Sequence, residues 1–126
     1  MNNHISYQLV GKRRGSLSAP KSYKTSIKPK HTIDHGAIRL EPTGLLTLRT
    51  GFVWDFATGA IDTPDMVVAS AAHDALCVLV DEGYLPTQSQ KDIDIYFREL
   101  LKELGTGFVR RWYSYLAVRV FQTFTN

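Results

Sequence analysis

Residues 64–80 read as a helix that is apolar on nearly every side and yet carries His73-Asp74 at its centre. Met66, Val67, Val68, Ala69, Ala71 and Ala72 precede the pair, and Ala75, Leu76, Cys77, Val78, Leu79 and Val80 follow it. A helix that is apolar all round belongs in the middle of a domain. A carboxylate carried in with it is costly unless it is paired or bound to a cation. Any fold for this chain must therefore bring polar partners to His73 and Asp74. Thr63 suits the N-cap, Pro64 the first helical position and Asp65 the positive end of the helix.

A second helix is expected from Thr87 or Ser89 to Leu104, closed by Gly105. Its apolar stripe is Ile93, Phe97, Leu100, Leu101 and Leu104, and Asp94 lies on the flank of that stripe. Gly83 and Pro86 mark a short connection, so the two helices should pack antiparallel. At roughly 1.5 Å per residue, His73 and Asp94 then stand at similar heights. A hydrogen bond from Asp94 would fix the imidazole tautomer and raise its basicity. A third helix is expected over Phe108–Phe121, with Val109, Trp112, Leu116 and Val120 in the core and its arginines reaching to solvent. Aromatics beside Arg110, Arg111 and Arg119 would also suit a membrane or protein interface.

Upstream the pattern changes to strands. His4–Val10 is a short strand candidate, and residues 36–54 read as a β-hairpin with Glu41-Pro42-Thr43-Gly44 at its turn. Charge divides the chain as well. Residues 1–30 hold seven bases (Lys12, Arg13, Arg14, Lys21, Lys24, Lys28, Lys30) and no acid, whereas the remainder is net −4. This suggests residues 1–30 as a basic extended arm with a short strand, and residues 31–126 as a single α+β domain. The expected architecture is a small antiparallel sheet followed by three helices, the first two an antiparallel pair. The arm is expected to run across another chain, or a second copy, because Leu17, Tyr23 and Ile27 are its only sizeable apolar anchors. Its seven bases are the candidate partner-binding residues for an acidic protein surface or anionic lipid. Few aromatics accompany them, so sequence-specific nucleic-acid binding is not expected.

No apolar stretch approaches the roughly 18 residues of a membrane span, and no apolar leader opens the chain. Cys77 is the single cysteine, which rules out an internal disulfide and cysteine-rich zinc sites. Asp55, in a loop of small residues after the hairpin, could join Asp74 and nearby carbonyls in an all-oxygen site suited to calcium. The plainer reading of His73, Asp74 and Asp94 is a satisfied polar network that organises the core.

Two resemblances bear on function. G-F-V-W-D-F-A-T-G-A-I-D-T, A-A-H-D-A-L, I-D-I-Y-F and R-R-W-Y-S-Y-L-A-V-R-V-F, in that order, resemble domain-of-unknown-function family 1353, small proteins of phages and prophages. Phe56 and Ala60 stand where members commonly have Gly and Pro. The resemblance implies a phage origin and supplies no activity. Residues 54–97 are also similar in motif order to prokaryotic phospholipase A2, with D-F-A-T, Pro64-Asp65, H-D-A-L-C and I-D-I-Y-F as counterparts. That resemblance implies His73 as the base that activates water, Asp94 as its orienting partner, and Asp55, Phe56 and Asp74 as calcium ligands, Phe56 through its carbonyl. Cys77 replaces a tyrosine of that pattern, Phe56 replaces its loop glycine, and its disulfides cannot form here. A third arrangement, a metal phosphohydrolase site using His31 or His35 with His73, Asp74 and Asp94, fits poorly with the strands that precede the first helix.

The leading expectation is a phage virion or assembly component, tail- or capsid-associated. It would be made in the host cytoplasm and bind other phage structural proteins or further copies of itself through the arm. The alternative is a calcium-dependent hydrolase of the phospholipase A2 type with a His-Asp dyad, active or degenerate. Calcium is the one cofactor implied.

Overall fold

The computed structural model describes residues 4–55 and 63–125, and side chains as far as Val120. Seven strands come first: β1 (Tyr7–Gly11), β2 (Arg14–Leu17), β3 (Lys21–Lys24), β4 (Ile33–His35), β5 (Ile38–Leu40), β6 (Leu45–Leu48) and β7 (Val53–Asp55). Three helices follow: α1 (Pro64–Asp81), α2 (Ser89–Glu103) and α3 (Phe108–Thr125). The fold is α+β, as expected. The strands form two antiparallel sheets, ordered β1-β2-β7 and β3-β6-β5-β4.

The turn Glu41–Gly44 forms where Pro42 and Gly44 predict it, closed by Gly44 N–H donating to the Glu41 carbonyl at 2.8 Å. Gly44 has φ +91°, a conformation L side chains rarely adopt. A Cβ there would also lie 2.3 Å from the Thr25 carbonyl oxygen. Conformation and close packing thus both require glycine at this position.

Residues 14–27 correct the expectation of an arm lying on another chain. β2 pairs with β7, and β3 pairs with β6, so this segment contributes a strand to each sheet of its own domain. Leu17, Tyr23 and Ile27 are buried in the common core, and Tyr23 Oη donates to the Val68 carbonyl of α1 at 2.8 Å. Three anchors would not offset the entropy of ordering the segment, but they do not act alone. Strand pairing satisfies its backbone, with further bonds from Leu17 N–H to the Phe52 carbonyl and from Thr25 N–H to the Gly44 carbonyl. Lys24 stays outside because side chains alternate across a strand, whereas Lys21, on the Tyr23 side, is half-buried with its ammonium over the Tyr23 ring.

α1 occupies the centre. Its buried residues run from Met66 to Ala72 and include Ala75, Leu76, Cys77 and Leu79. It packs on β7 and β6 on one side and on α2 on another. Trp54, fully enclosed, ties β7 to it by donating from Nε1 to Ser70 Oγ at 3.2 Å. The α1–α2 contacts pair His73 with Asp94 and Cys77 with Gln90, and their opposite sense along the two helices marks an antiparallel pair. α3 returns antiparallel along α2, pairing Asp94 with Arg119 and Arg98 with Trp112 and Tyr115. One expectation fails here. Val109, Trp112, Leu116 and Val120 are exposed, not in the core. Polar contacts set the rotation of α3 instead: Arg110 to Thr63, Ser114 to Met66, and Arg119 to Asp94.

Candidate functional site

Asp94 has no exposed surface, and its carboxylate is the hub of the site. Oδ1 lies 2.6 Å from His73 Nε2 and accepts from Gln90 Nε2 at 3.0 Å. Oδ2 accepts from Arg119 at 2.9 Å. One buried carboxylate therefore links all three helices, and its charge is compensated from α1 and α3. Gln90 precedes Asp94 by four residues, so helical geometry places both on one face. The carboxylate also fixes the orientation of the Gln90 amide, because only the amide nitrogen can face it.

His73 stands at the edge of this cluster. Its side chain is 13 % exposed, and its ring lies 4.9 Å from that of Phe97. With Nε2 engaged by Asp94, Nδ1 is the ring nitrogen left for other chemistry. Cys77, one turn along α1, places Sγ 3.8 Å from both ring nitrogens and accepts from Gln90 Nε2 at 3.2 Å. Burial pushes the imidazole pKa down, but the hydrogen bond to Asp94 and the contact with Cys77 outweigh it and hold the pKa above the ordinary value.

Asp74 points elsewhere. Burial pushes its carboxyl up to about 6, a rise that His73 and the Asp55 backbone N–H oppose and the Asp55 and Asp81 carboxylates reinforce. So Asp55 and Asp74 are neighbours, as the sequence suggests for an oxygen site. The Asp55 carboxylate is already engaged by Arg14 Nε at 2.9 Å. Phe56, the third expected ligand, lies outside the described residues. Calcium takes six to eight oxygens. Among the described residues, no group of three or more His, Cys, Asp or Glu side chains could hold a metal. The described donors alone do not fit calcium, and no chemical step below passes through it. His31 and His35 likewise do not join His73, Asp74 and Asp94 in a metal-holding group. His35 instead packs its ring 4.9 Å from that of Tyr84.

The seven expected partner-binding bases differ in their surroundings. Arg14 faces Asp55, and Lys21 Nζ donates to the His4 carbonyl at 2.6 Å. Lys12, Arg13, Lys24, Lys28 and Lys30 are exposed. The sequence ties neither Gln90 nor Arg119 to this site. The available signal was Asp94 itself, since a fully buried carboxylate has a second oxygen to satisfy beyond the one facing His73.

No helix among the described residues is long and apolar enough to cross a membrane. Residues 31–118 match the family described as Protein of unknown function (DUF1353), more than half of the chain, and the protein belongs to that family. No curated protein and no solved structure matches it.

Proposed function

We propose that this member of the family is a hydrolase in which His73 is the general base and Asp94 its orienting partner. Its proposed substrate class is the carboxylic ester, with phospholipid esters suggested by the motif order shared with prokaryotic phospholipase A2. The observation that carries the reading is the 2.6 Å contact between His73 Nε2 and a wholly buried Asp94. A His-Asp pair of this kind holds one tautomer and presents Nδ1 to a water. The steps follow from that tautomer. Nδ1 takes a proton from water as the oxygen attacks the ester carbonyl, and the imidazolium returns the proton to the departing alkoxide. The products are a carboxylic acid and an alcohol. Gln90 and Arg119 act on Asp94, not on substrate, so they are positioning residues.

The test is turnover of short-chain and phospholipid esters by the purified chain, with and without calcium. The reading expects hydrolysis that His73→Gln abolishes and that Asp94→Asn reduces by orders of magnitude. An ester panel with no turnover above buffer in either condition overturns it.

A second reading rests on a different observation. Lys24, Lys28 and Lys30 remain exposed although Thr25 and Ile27 between them pack inward. That outward basic row supports a binding role toward an acidic partner, such as a structural protein of a phage virion. Here the His73–Asp94 network would serve stability alone. Co-purification of virions with the protein, lost when these three lysines become glutamate, is the outcome that favours it.

A further inference from the structure

α3 is amphipathic in the reverse sense to an ordinary surface helix. At 3.6 residues per turn, Phe108, Val109, Trp112, Tyr113, Leu116 and Val120 fall within an arc of about 140°. All six are exposed, from 37 % at Trp112 to 78 % at Val109. The opposite face, turned to α1 and α2, carries Ser114, buried, and Arg111 and Val118, half-buried. The domain therefore holds the Arg111, Ser114 and Val118 side of its last helix and displays the apolar side, with Arg119 at the edge of the stripe reaching back to Asp94. Three exposed aromatics and three aliphatics leave roughly 600 Å² of apolar surface. That is at the upper end of what a monomer shows and close to the ~800 Å² each partner contributes to a standard interface.

We propose that this stripe is a homodimer interface, in which α3 of one chain packs antiparallel against α3 of a second copy about a two-fold axis. Three observations select a second copy as the occupant. The stripe runs from Phe108 to Val120, about 18 Å along the helix, more than three turns. Its repeat of 109, 113, 116 and 120 is the i, i+4, i+7, i+11 spacing that meshes with an identical helix. Charge does not oppose the pairing. Arg119 is held by Asp94, Arg110 reaches back to Thr63 and Asp65, and Arg111 lies on the inward side near Phe108 and the Thr106 carbonyl. These contacts within the chain draw the arginines bordering the stripe back toward their own domain, which limits repulsion across a two-fold axis. An anionic lipid surface would favour arginines free at the edges of the stripe, and here two of the three are committed within the chain. The inference does not depend on the hydrolase reading, because the stripe includes neither His73 nor Asp94.

Sedimentation velocity of the full chain, from low to high micromolar concentration, tests it. The expected result is a reversible dimer. Val109→Glu, at the most exposed position, should weaken the dimer at least about tenfold, or ~1.4 kcal/mol. Tyr113→Glu combined with Leu116→Glu should leave a monomer with an unchanged far-UV circular dichroism spectrum. A wild type that stays monomeric throughout overturns the proposal, as does a Val109→Glu variant that dimerises as tightly as the wild type. So does a monomer that co-sediments with phosphatidylglycerol vesicles through this same stripe, which would identify lipid as the occupant.

Discussion

The carboxylate of Asp94 gives one oxygen to His73 of α1 and the other to Arg119 of α3. Two cationic partners on different helices thus meet on one residue with no exposure to water. One side chain therefore ties all three helices together, and the first prediction concerns its removal.

Asp94→Ala should destabilise the fold by about 3–5 kcal/mol, because it strands the partners of a buried ion pair. Arg119→Met should cost less, since Arg119 is about one-third exposed and His73 still faces the carboxylate. Urea denaturation of both variants checks the order. Equal losses would mean that Arg119, not His73, supplies the essential compensation.

His73 gives a pH dependence with a definite sign. Its folded-state pKa lies above the unfolded value, so its contribution to stability is complete below about pH 6.5. It is lost as pH rises through the raised value. Melting temperatures of the wild type should fall through the alkaline range relative to His73→Gln. The same shift bears on catalysis. A base that stays protonated needs a higher pH to act, so ester turnover should climb above the ordinary imidazole range.

Asp74 also has a raised pKa, but its cause is burial without a strong partner. Its contribution is complete below about pH 4 and is lost as pH rises through about 6. Above that, the ionised carboxylate is a net cost of up to about 3 kcal/mol. Asp74→Asn should therefore melt higher than the wild type at pH 8 and match it near pH 4. Calcium that raises the wild-type melting temperature at pH 8, and leaves the Asn variant unmoved, would show that the ion occupies this carboxylate.

Removing residues 1–30 should unfold the protein, not merely free a tail. The deletion takes Leu17, Tyr23 and Ile27 from the core, leaves β7 without its strand partner and bares one edge of β6. Circular dichroism of residues 31–126 should show loss of a cooperative melt. A well-folded fragment would restore the view of residues 1–30 as an appendage. Gly44→Ala in the full chain should also cost at least about 1–3 kcal/mol, given its backbone conformation and the nearby Thr25 carbonyl.

The three helices and the turn at Gly44 were legible because each is a local event: caps, a proline, a glycine and a run of apolar residues. His73 facing Asp94 was legible for a related reason, since a short connection and a fixed rise per residue determine the alignment of two helices. Arg119 was not, because its partner lies two helices away in an order of packing that spacing alone does not define. The strands of residues 14–24 were hidden by their composition. Lys21-Ser22-Tyr23-Lys24 has one large apolar side chain, and it forms a strand because Leu45–Leu48 offers an open edge beside it. α3 misled in the opposite direction. Its apolar stripe is real, and only the tertiary contacts of Arg110, Ser114 and Arg119 decide that it faces outward.

The pairing of residues 14–24 with strands at 45–55 also sets an order of events during synthesis. The basic segment leaves the ribosome ahead of its sheet partners, and neither β2 nor β3 meets its partner until some thirty residues more have emerged. The bond from Tyr23 to Val68 waits longer still, for the first turns of α1. Through that interval the seven positive charges, with no acid among them, repel one another, which opposes premature collapse. The charge bias of the N-terminal segment thus protects an unpaired strand in the nascent chain, whatever it binds once the domain has closed.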